Sequence, residues 1–355
     1  MSHDNLARLG WGPDFERFYS EHKTEDSHPA RVISVSRGTW LLAGVQGERF
    51  GVPAGKFHYH DIEMPVVGDW VVARGTGDDS WLVIQDVLPR RNHLSRKAPG
   101  KTSARQVMAA NIDIMFVVQD ALALNCALAE RYLVLAKGSD ITPVLVLNKC
   151  DTEAHAAEAL GAIAERIPGV TAVAASALTG LGIGDIRAHV AQGVTACLLG
   201  PSGAGKSSII NGMLGTQRQR IGEIREGDRK GRHTTTVREL FFLSGGGMVI
   251  DTPGMRELMP WDASGLDESF RDIEELAAQC RFDDCAHETE PGCAVRQAVE
   301  SGTLDPGRLE NFHRLTRELA YLESQIDENA RREKKRKEKE LHRLIKDYNR
   351  NRRKP

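Results

Sequence analysis

No stretch of this 355-residue chain approaches the roughly 18 consecutive apolar residues of a membrane-spanning helix, so no span is expected. The segment Met1–Gly10 lacks a basic region followed by an apolar run, which argues against a secretory signal. Cysteine is scarce: Cys126, Cys150 and Cys197 are scattered, and only Cys280, Cys285 and Cys293 cluster. That usage excludes a disulfide-built scaffold and fits a reducing cytoplasm, the expected location. There is no internal repeat and no large excess of either charge, the formal net charge being −2. With 41% hydrophobic and 27% charged residues, the chain reads as globular and is long enough for two or three domains.

The near-neutral sum conceals an asymmetry. From Arg331 to Pro355 there are 13 Lys/Arg against 4 Asp/Glu, while the rest of the chain carries 34 against 45. An acidic body with a basic tail suits contact with a polyanion; a solvated, partly helical tail is the other reading.

The chain changes texture along its length. Within Arg31–Val87, five short segments rich in Val, Ile, Leu and Trp alternate with turn residues, the pattern of a small closed barrel. An OB-fold is the leading candidate, with RNA contact or a purely structural role both open. Pro89–Ala110 is basic and polar and reads as a linker. Strands are then expected at Ile112–Val118, Ile141–Leu147, Thr171–Ala174, Val194–Leu199, Val237–Leu243 and Met248–Ile250. Helices at Ala127–Lys137, Glu153–Arg166 and Lys206–Leu214 alternate with them, as in a parallel sheet covered by helices. Beyond Trp261 the β pattern stops, and Leu266–Gln279 and Arg308–Gln325 have helical periodicity.

Gly200-Pro201-Ser202-Gly203-Ala204-Gly205-Lys206-Ser207 matches the phosphate-loop pattern, after an apolar strand and before a helix. Its glycines let backbone N–H groups face a phosphate, Lys206 can bridge the β- and γ-phosphates as the catalytic cation, and the Ser207 hydroxyl can ligate Mg²⁺. Alone this indicates only a nucleoside triphosphate. Asn148-Lys149-Cys150-Asp151 adds the base: a carboxylate at Asp151 pairs with two donors that guanine has and adenine lacks. Lys149 can lie over the base and tether the phosphate loop, and the backbone of Ser176-Ala177-Leu178 can contact the guanine carbonyl. Asp251-Thr252-Pro253-Gly254 ends an apolar strand, so that Asp251 can hold Mg²⁺ through water and the Gly254 N–H can reach the γ-phosphate. Gly231-Arg232-His233-Thr234-Thr235-Thr236 falls where a switch belongs, and Thr235 is the first choice to complete the Mg²⁺ shell. Met255 follows Gly254 where Ras-type enzymes carry the water-orienting glutamine, so weak intrinsic hydrolysis is expected. His233 can position the water, or contact a partner.

Cys280-x4-Cys285-x-His287-x5-Cys293 supplies three thiolates and an imidazole, a closed tetrahedral set for one structural Zn²⁺. Reduced cysteines in a helical core are the alternative.

In Ras-like GTPases the phosphate loop precedes the base-recognition tetrad; here the order is reversed, which resembles a circularly permuted G domain. With the barrel ahead of it, the 231–236 segment and the cysteine–histidine cluster behind, the chain resembles the ribosome small-subunit-dependent GTPase A (RsgA-like) family from about Arg31 to Leu319. The expected architecture is multidomain: N-terminal extension (1–30), OB-fold β-barrel (31–90), central α/β circularly permuted P-loop GTPase domain (91–260), C-terminal helical zinc-binding domain (261–330) and basic tail (331–355). The resemblance implies GTP binding by Asn148, Lys149, Cys150, Asp151 and Gly200 through Ser207 to Ser208, and zinc at Cys280, Cys285, His287 and Cys293. It further implies GTP hydrolysis to GDP during late 30S assembly, stimulated by the subunit, with 16S rRNA as partner. No membrane role is expected, and because nothing in the sequence demands an oligomer, a monomer is expected. A permuted GTPase with another RNA–protein target, or a zinc-stabilised RNA-binding scaffold with low turnover, are the alternatives. Because Asp251–Gly254 leads into the zinc cluster, γ-phosphate loss is expected to be transmitted into that domain's placement.

Overall fold

The computed structural model describes residues 2–36, 38–59, 62–76, 81–97, 105–215, 238–251, 258, 260 and 263–325. His233, Thr235, Gly254, Met255 and the tail 331–355 lie outside the described residues.

The first thirty residues, expected as a featureless extension, hold two helices, α1 (Ser2–Arg8) and α2 (Pro13–His22). They then enter strand β1 (Ser27–Ser36). With β2 (Thr39–Gly44), β3 (Gly47–Pro53), the short helix α3 (Lys56–Tyr59), β4 (Trp70–Gly75) and β5 (Trp81–Val87), this builds a barrel. The strands close in the order β1-β2-β3-β5-β4-β1. Closure works because β1 is long: Ser27–Arg31 pairs with β4, while Ala30–Ser36 pairs with β2, with a register shift between Val32 and Ser34. Period-two alternation assigns each face. Val71 and Ala73 fill the barrel with Val32, Leu42 and Ile84, whereas Trp70 and Val72 point outward against Phe15 and Leu9. Trp70 packs edge-on to Trp11 at 4.6 Å, so the N-terminal helices cap the barrel wall.

The basic segment read as a linker contains a hairpin, β6 (His93–Lys97) with β7 (Arg105–Ala110). A bridge from Val67 to Ala109 ties it to the barrel side, and one from Arg96 to Leu258 ties it to the residue following 252–257.

The central unit then runs β8 (Ile114–Asp120), α4 (Cys126–Gly138), β9 (Thr142–Asn148), α5 (Glu153–Arg166), β10 (Ala172–Ala174), α6 (Ile183–Ala188), β11 (Thr195–Leu199), α7 (Lys206–Leu214), β12 (Arg238–Phe242) and β13 (Met248–Asp251). Strand order is β10-β9-β8-β11-β13-β12, parallel except for β12. The phosphate-loop strand β11 is therefore central, between β8 and β13. Its five residues are all buried, as expected of a strand covered on both faces. Helices α4 and α5 cover one face, through residues such as Leu133 and Ile163. Helices α6 and α7 cover the other, through Ile186 and Ile209. The sheet does not stop at β12: Ser34 and Val35 of β1 pair with Glu239 and Arg238, so that eleven strands are continuous from β10 into the barrel.

The helix expected at Leu266–Gln279 is two, α8 (Leu266–Ser269) and α9 (Arg271–Ala277). The break falls at Phe270, whose backbone leaves the helical region (φ −116°, ψ 37°) and whose ring is fully buried against Phe312 and the Arg308 guanidinium. Helix α10 (Ala294–Glu300) and a helix over 306–325, here α11, complete this unit. Its core takes in Val134 of α4. The same junction holds Arg308, 4% exposed, which donates to Glu130 Oε1 at 2.6 Å and in two bonds to Asp272 at 2.6 and 2.7 Å. Asn311 donates to the other Glu130 oxygen. Among the described residues no helix is long and apolar enough to cross a membrane.

Candidate nucleotide site and metal centre

Four sequence-distant segments meet at the carboxyl ends of β8, β9, β10 and β11, the edge at which open α/β sheets bind ligands. The loop after β11 needs its glycines. At Gly200 (φ +149°) an added Cβ would lie 2.1 Å from the Val118 carbonyl oxygen, and at Gly205 (φ +93°) 2.1 Å from Asn148 Nδ2. Lys206 opens α7, and its Nζ donates to the carbonyls of Gly200 and Pro201 at 2.8 Å each. No side-chain cap closes the α7 N-terminus, a place where backbone N–H groups attract anions.

Asn148 is the keystone. Its Nδ2 donates to Ala204 O at 2.7 Å and its Oδ1 accepts from Ala177 N at 3.1 Å, linking the phosphate loop to the 176–178 turn. The tether to the phosphate loop that the sequence reading assigned to Lys149 thus runs from Asn148. Lys149 itself, in left-handed backbone (φ +71°), places its Nζ 2.5 Å from Asp120 Oδ2. Asp151 accepts from the Ser176 hydroxyl at 2.6 Å, and that hydroxyl also accepts from Thr179 N.

These residues surround a cavity of about 700 Å³, inside the range of nucleotide-sized sites. Its wall brings together Asn148, Lys149, Asp151, Ser176, Ala177, Gly203, Gly205 and Ser208. Cys150 is different: its thiol is fully buried, donates to Leu147 O and is no part of this wall. Burial raises that thiol above its ordinary range, so it stays protonated. Asp251 ends β13, across the pair from Glu239. Sequence reasoning missed Leu122 on the cavity rim, and Asn211 and Gly212 of α7; Leu178, also on the rim, lies in the 176–178 segment that the sequence had assigned to the base. The α7 pair could have been found from helical periodicity beyond Ser208; Leu122 sits in a 3₁₀ turn with no motif.

Substituting Gly205 by alanine is expected to break the Asn148–Ala204 link as well as strain a left-handed backbone position, at about 1–3 kcal/mol for the strain alone. Isothermal titration with GDP checks this. Wild-type affinity and an unchanged melting temperature would count against the assigned role of the link.

The second cluster is Cys280, Cys285, His287 and Cys293, whose ligand atoms all lie within 4.8 Å of one another. Tetrahedral Zn²⁺ with Zn–S bonds near 2.3 Å sets sulfurs about 3.8 Å apart. The Cys280–Cys293 Sγ separation is 3.8 Å, and His287 Nδ1 lies 3.7 and 3.4 Å from those sulfurs. The donor set therefore fits zinc. Local structure builds it: Cys293 caps α10, its sulfur accepting from Arg296 N. Burial pushes the Cys280 thiol up, yet hydrogen bonds from the Ala294 and Val295 backbone and from the neighbouring cysteines bring it below its ordinary range, while burial and the Cys293 and Cys280 sulfurs push Cys285 up to about 11. His287 adopts φ +61°, and the Glu290 carboxylate pins its loop by accepting from the N–H groups of Ala286, Glu288 and Thr289.

Comparison with known proteins places these features. The RsgA GTPase family model matches residues 87–261. The chain is 41% identical to the small ribosomal subunit biogenesis GTPase RsgA of Opitutus terrae, over 91% of this chain and 92% of that one. It is 39% identical to the protein of the same name from Syntrophotalea carbinolica, over 98% of both. Among solved structures it resembles YjeQ from Thermotoga maritima, with TM-score 0.62 and 28% identity over 83% of this chain and 99% of that one. It also resembles YloQ, described as a circularly permuted GTPase, with TM-score 0.61 and 25% identity over 83% and 96%.

Proposed function

The chain belongs to the RsgA GTPase family, and from that premise we propose that it binds the small ribosomal subunit, contacts its 16S rRNA, and hydrolyses GTP there to time its own release during late assembly. The observation that carries this reading is Asn148, which joins the base-recognition tetrad, the phosphate loop and the 176–178 turn into one cavity despite their permuted order.

In this reading Asp151 accepts the two guanine donors, exchanging its Ser176 partner for the base or sharing it. The phosphates lie along the loop N–H groups at the start of α7, and Lys206 releases its two carbonyl partners to reach the β- and γ-phosphates. Gly200 through Ser208 hold the phosphate chain in line for attack by water on the γ-phosphorus, with departure of GDP. The oxygen donors of Ser207, Thr235 and, through water, Asp251 suit Mg²⁺, which when bound neutralises developing phosphate charge. Gly254 reads the γ-phosphate, and His233 is the group assigned to the attacking water. Zinc, held by Cys280, Cys285, His287 and Cys293, supplies fold stability in the C-terminal unit.

The test is GTP turnover measured alone, with 30S subunits, with 50S subunits and with free RNA. Stimulation by 30S alone is expected, by a factor on the order of 10² or more, as for GTPases completed by a partner. Indifference to all additions would replace the proposal with an RNA-binding scaffold of low turnover, and stimulation by 50S with another assembly target.

A further inference from the structure

Asp120 ends β8 directly opposite Asn148, since the two are register partners across the β8–β9 pair. Its two carboxylate oxygens do different work. Oδ2 receives the Lys149 ammonium at 2.5 Å. Oδ1 accepts from Leu122 N at 3.0 Å and so caps the 3₁₀ turn Ala121–Ala123. That turn holds Leu122 out at the cavity rim, 74% exposed, and Leu178 stands on the same rim, 85% exposed. Two leucines kept in solvent beside the cavity are an unspent apolar surface, and a planar heteroaromatic ring is the ligand shape that covers such a surface.

We propose that Asp120 is a positioning residue for the base, fixing Lys149 and presenting Leu122 so that the lysine stem, Leu122 and Leu178 form the apolar wall on which guanine packs. The inference rests on the reading of this cavity as the GTP site. It assigns the wall to a residue outside the base-recognition tetrad. Lys149 needs such a partner: with its ammonium neutralised at Asp120, its methylenes lie along the cavity as surface, and its charge does not compete for the phosphates. The polar edge of the base is then read by Asp151, and its face by groups that Asp120 organises. Because the wall touches no phosphate, GTP and GDP feel it equally.

The experiment is calorimetric titration of the full-length protein with GDP and, separately, with inorganic pyrophosphate, alongside the melting temperature of the nucleotide-free protein. Leu122→Ala is expected to weaken GDP by about tenfold, the size of uncovering part of a leucine side chain, and Leu122→Met to restore it. Asp120→Ala is expected to weaken GDP at least as much, because it frees both Lys149 and the turn, while Asp120→Asn, keeping an acceptor for Leu122 N, falls between. Pyrophosphate binding is expected to be unchanged in all of them, as is subunit-stimulated kcat at saturating GTP, the loss appearing in KM. Equal loss of GDP and pyrophosphate would reduce Asp120 to a structural support and overturn the proposal, as would wild-type GDP affinity in Leu122→Ala. Failure of the wild-type protein to bind GDP would instead remove the nucleotide reading itself.

Discussion

Cys293→Ala is expected to strip zinc from the protein and unfold residues 263–325 while the GTPase sheet stays folded. Cys293 is 3% exposed and serves three purposes at once: it offers a sulfur to the metal set, caps α10 and fills the C-terminal core. Structural zinc contributes about 10–16 kcal/mol in small metal-dependent folds, and loss of one thiolate forfeits a large share of that. Within the Cys280–Cys293 loop little else can replace it. The loop from Cys280 to Cys293 carries exposed Arg281, Asp283, Asp284 and Glu288, and its apolar contribution to the core is small. Zinc content by mass spectrometry and the tryptic cleavage pattern measure the two consequences. Stoichiometric zinc with a wild-type cleavage pattern would sink the assignment. Cys126→Ala, at a half-buried cysteine outside the cluster, is the control expected to leave both unchanged.

Arg308→Ala is expected to cost about 3–5 kcal/mol, the range for breaking a buried ion pair by removing one partner. The truncation leaves Glu130, 4% exposed, without its cation and Asp272 without both of its bonds. The expected pH dependence has a definite sign. Burial already raises the Glu130 carboxyl above its ordinary value, and losing the guanidinium raises it further. A folded-state pKa above the unfolded one makes stability rise as pH falls, so the deficit relative to wild type is largest at neutral pH and narrows in mild acid. Urea unfolding at the two pH values reads it out. A deficit that is constant or widens in acid would show that Glu130 is not the group left stranded.

This network also bears on the expectation, drawn from sequence order, that nucleotide state is transmitted into the C-terminal unit. The sequence order suggested a path from Asp251 through 252–257 into the zinc cluster. The described contacts add another: α11 and α9 are joined through Arg308 to Glu130 of α4, and Arg131 of α4 pairs in two bonds with Glu318. Helix α4 begins only six residues after Asp120. The unit therefore packs on a helix that leaves the proposed base pocket.

Much of the site was legible because each motif answers a local constraint. Gly200 and Gly205 are glycine because backbone or Asn148 occupies the space of a Cβ, and the cysteine–histidine cluster has its ligand atoms within reach of one ion. The closed barrel and the alternating central unit were legible from period and turn residues. What was hidden depends on tertiary partners. The β6–β7 hairpin reads as a linker because a register shift between Leu94 and Ser95 interrupts its alternation, and because Val67 of the barrel supplies part of its pairing. The break at Phe270 is invisible to periodicity, since it exists to bury one ring against Arg308 and Phe312. Helix α2 is polar overall and owes its place to Phe15 and Trp11 meeting Trp70, more than fifty residues on. Leu122 looks like an ordinary exposed leucine until Asp120 and the cavity are seen together.

The bonding of Ser34 and Val35 to β12 has a practical consequence for dissecting this protein. A chain shortened to begin after the barrel would leave β12 as a bare sheet edge, with backbone donors and acceptors open to any passing strand. Such a fragment is a poor measure of what the GTPase part does alone, since it would lose a neighbour and gain a tendency to self-associate in the same cut. Point changes on the barrel's outer surface, which spare the two paired residues, separate the proposed RNA contact from sheet integrity where deletion confounds them.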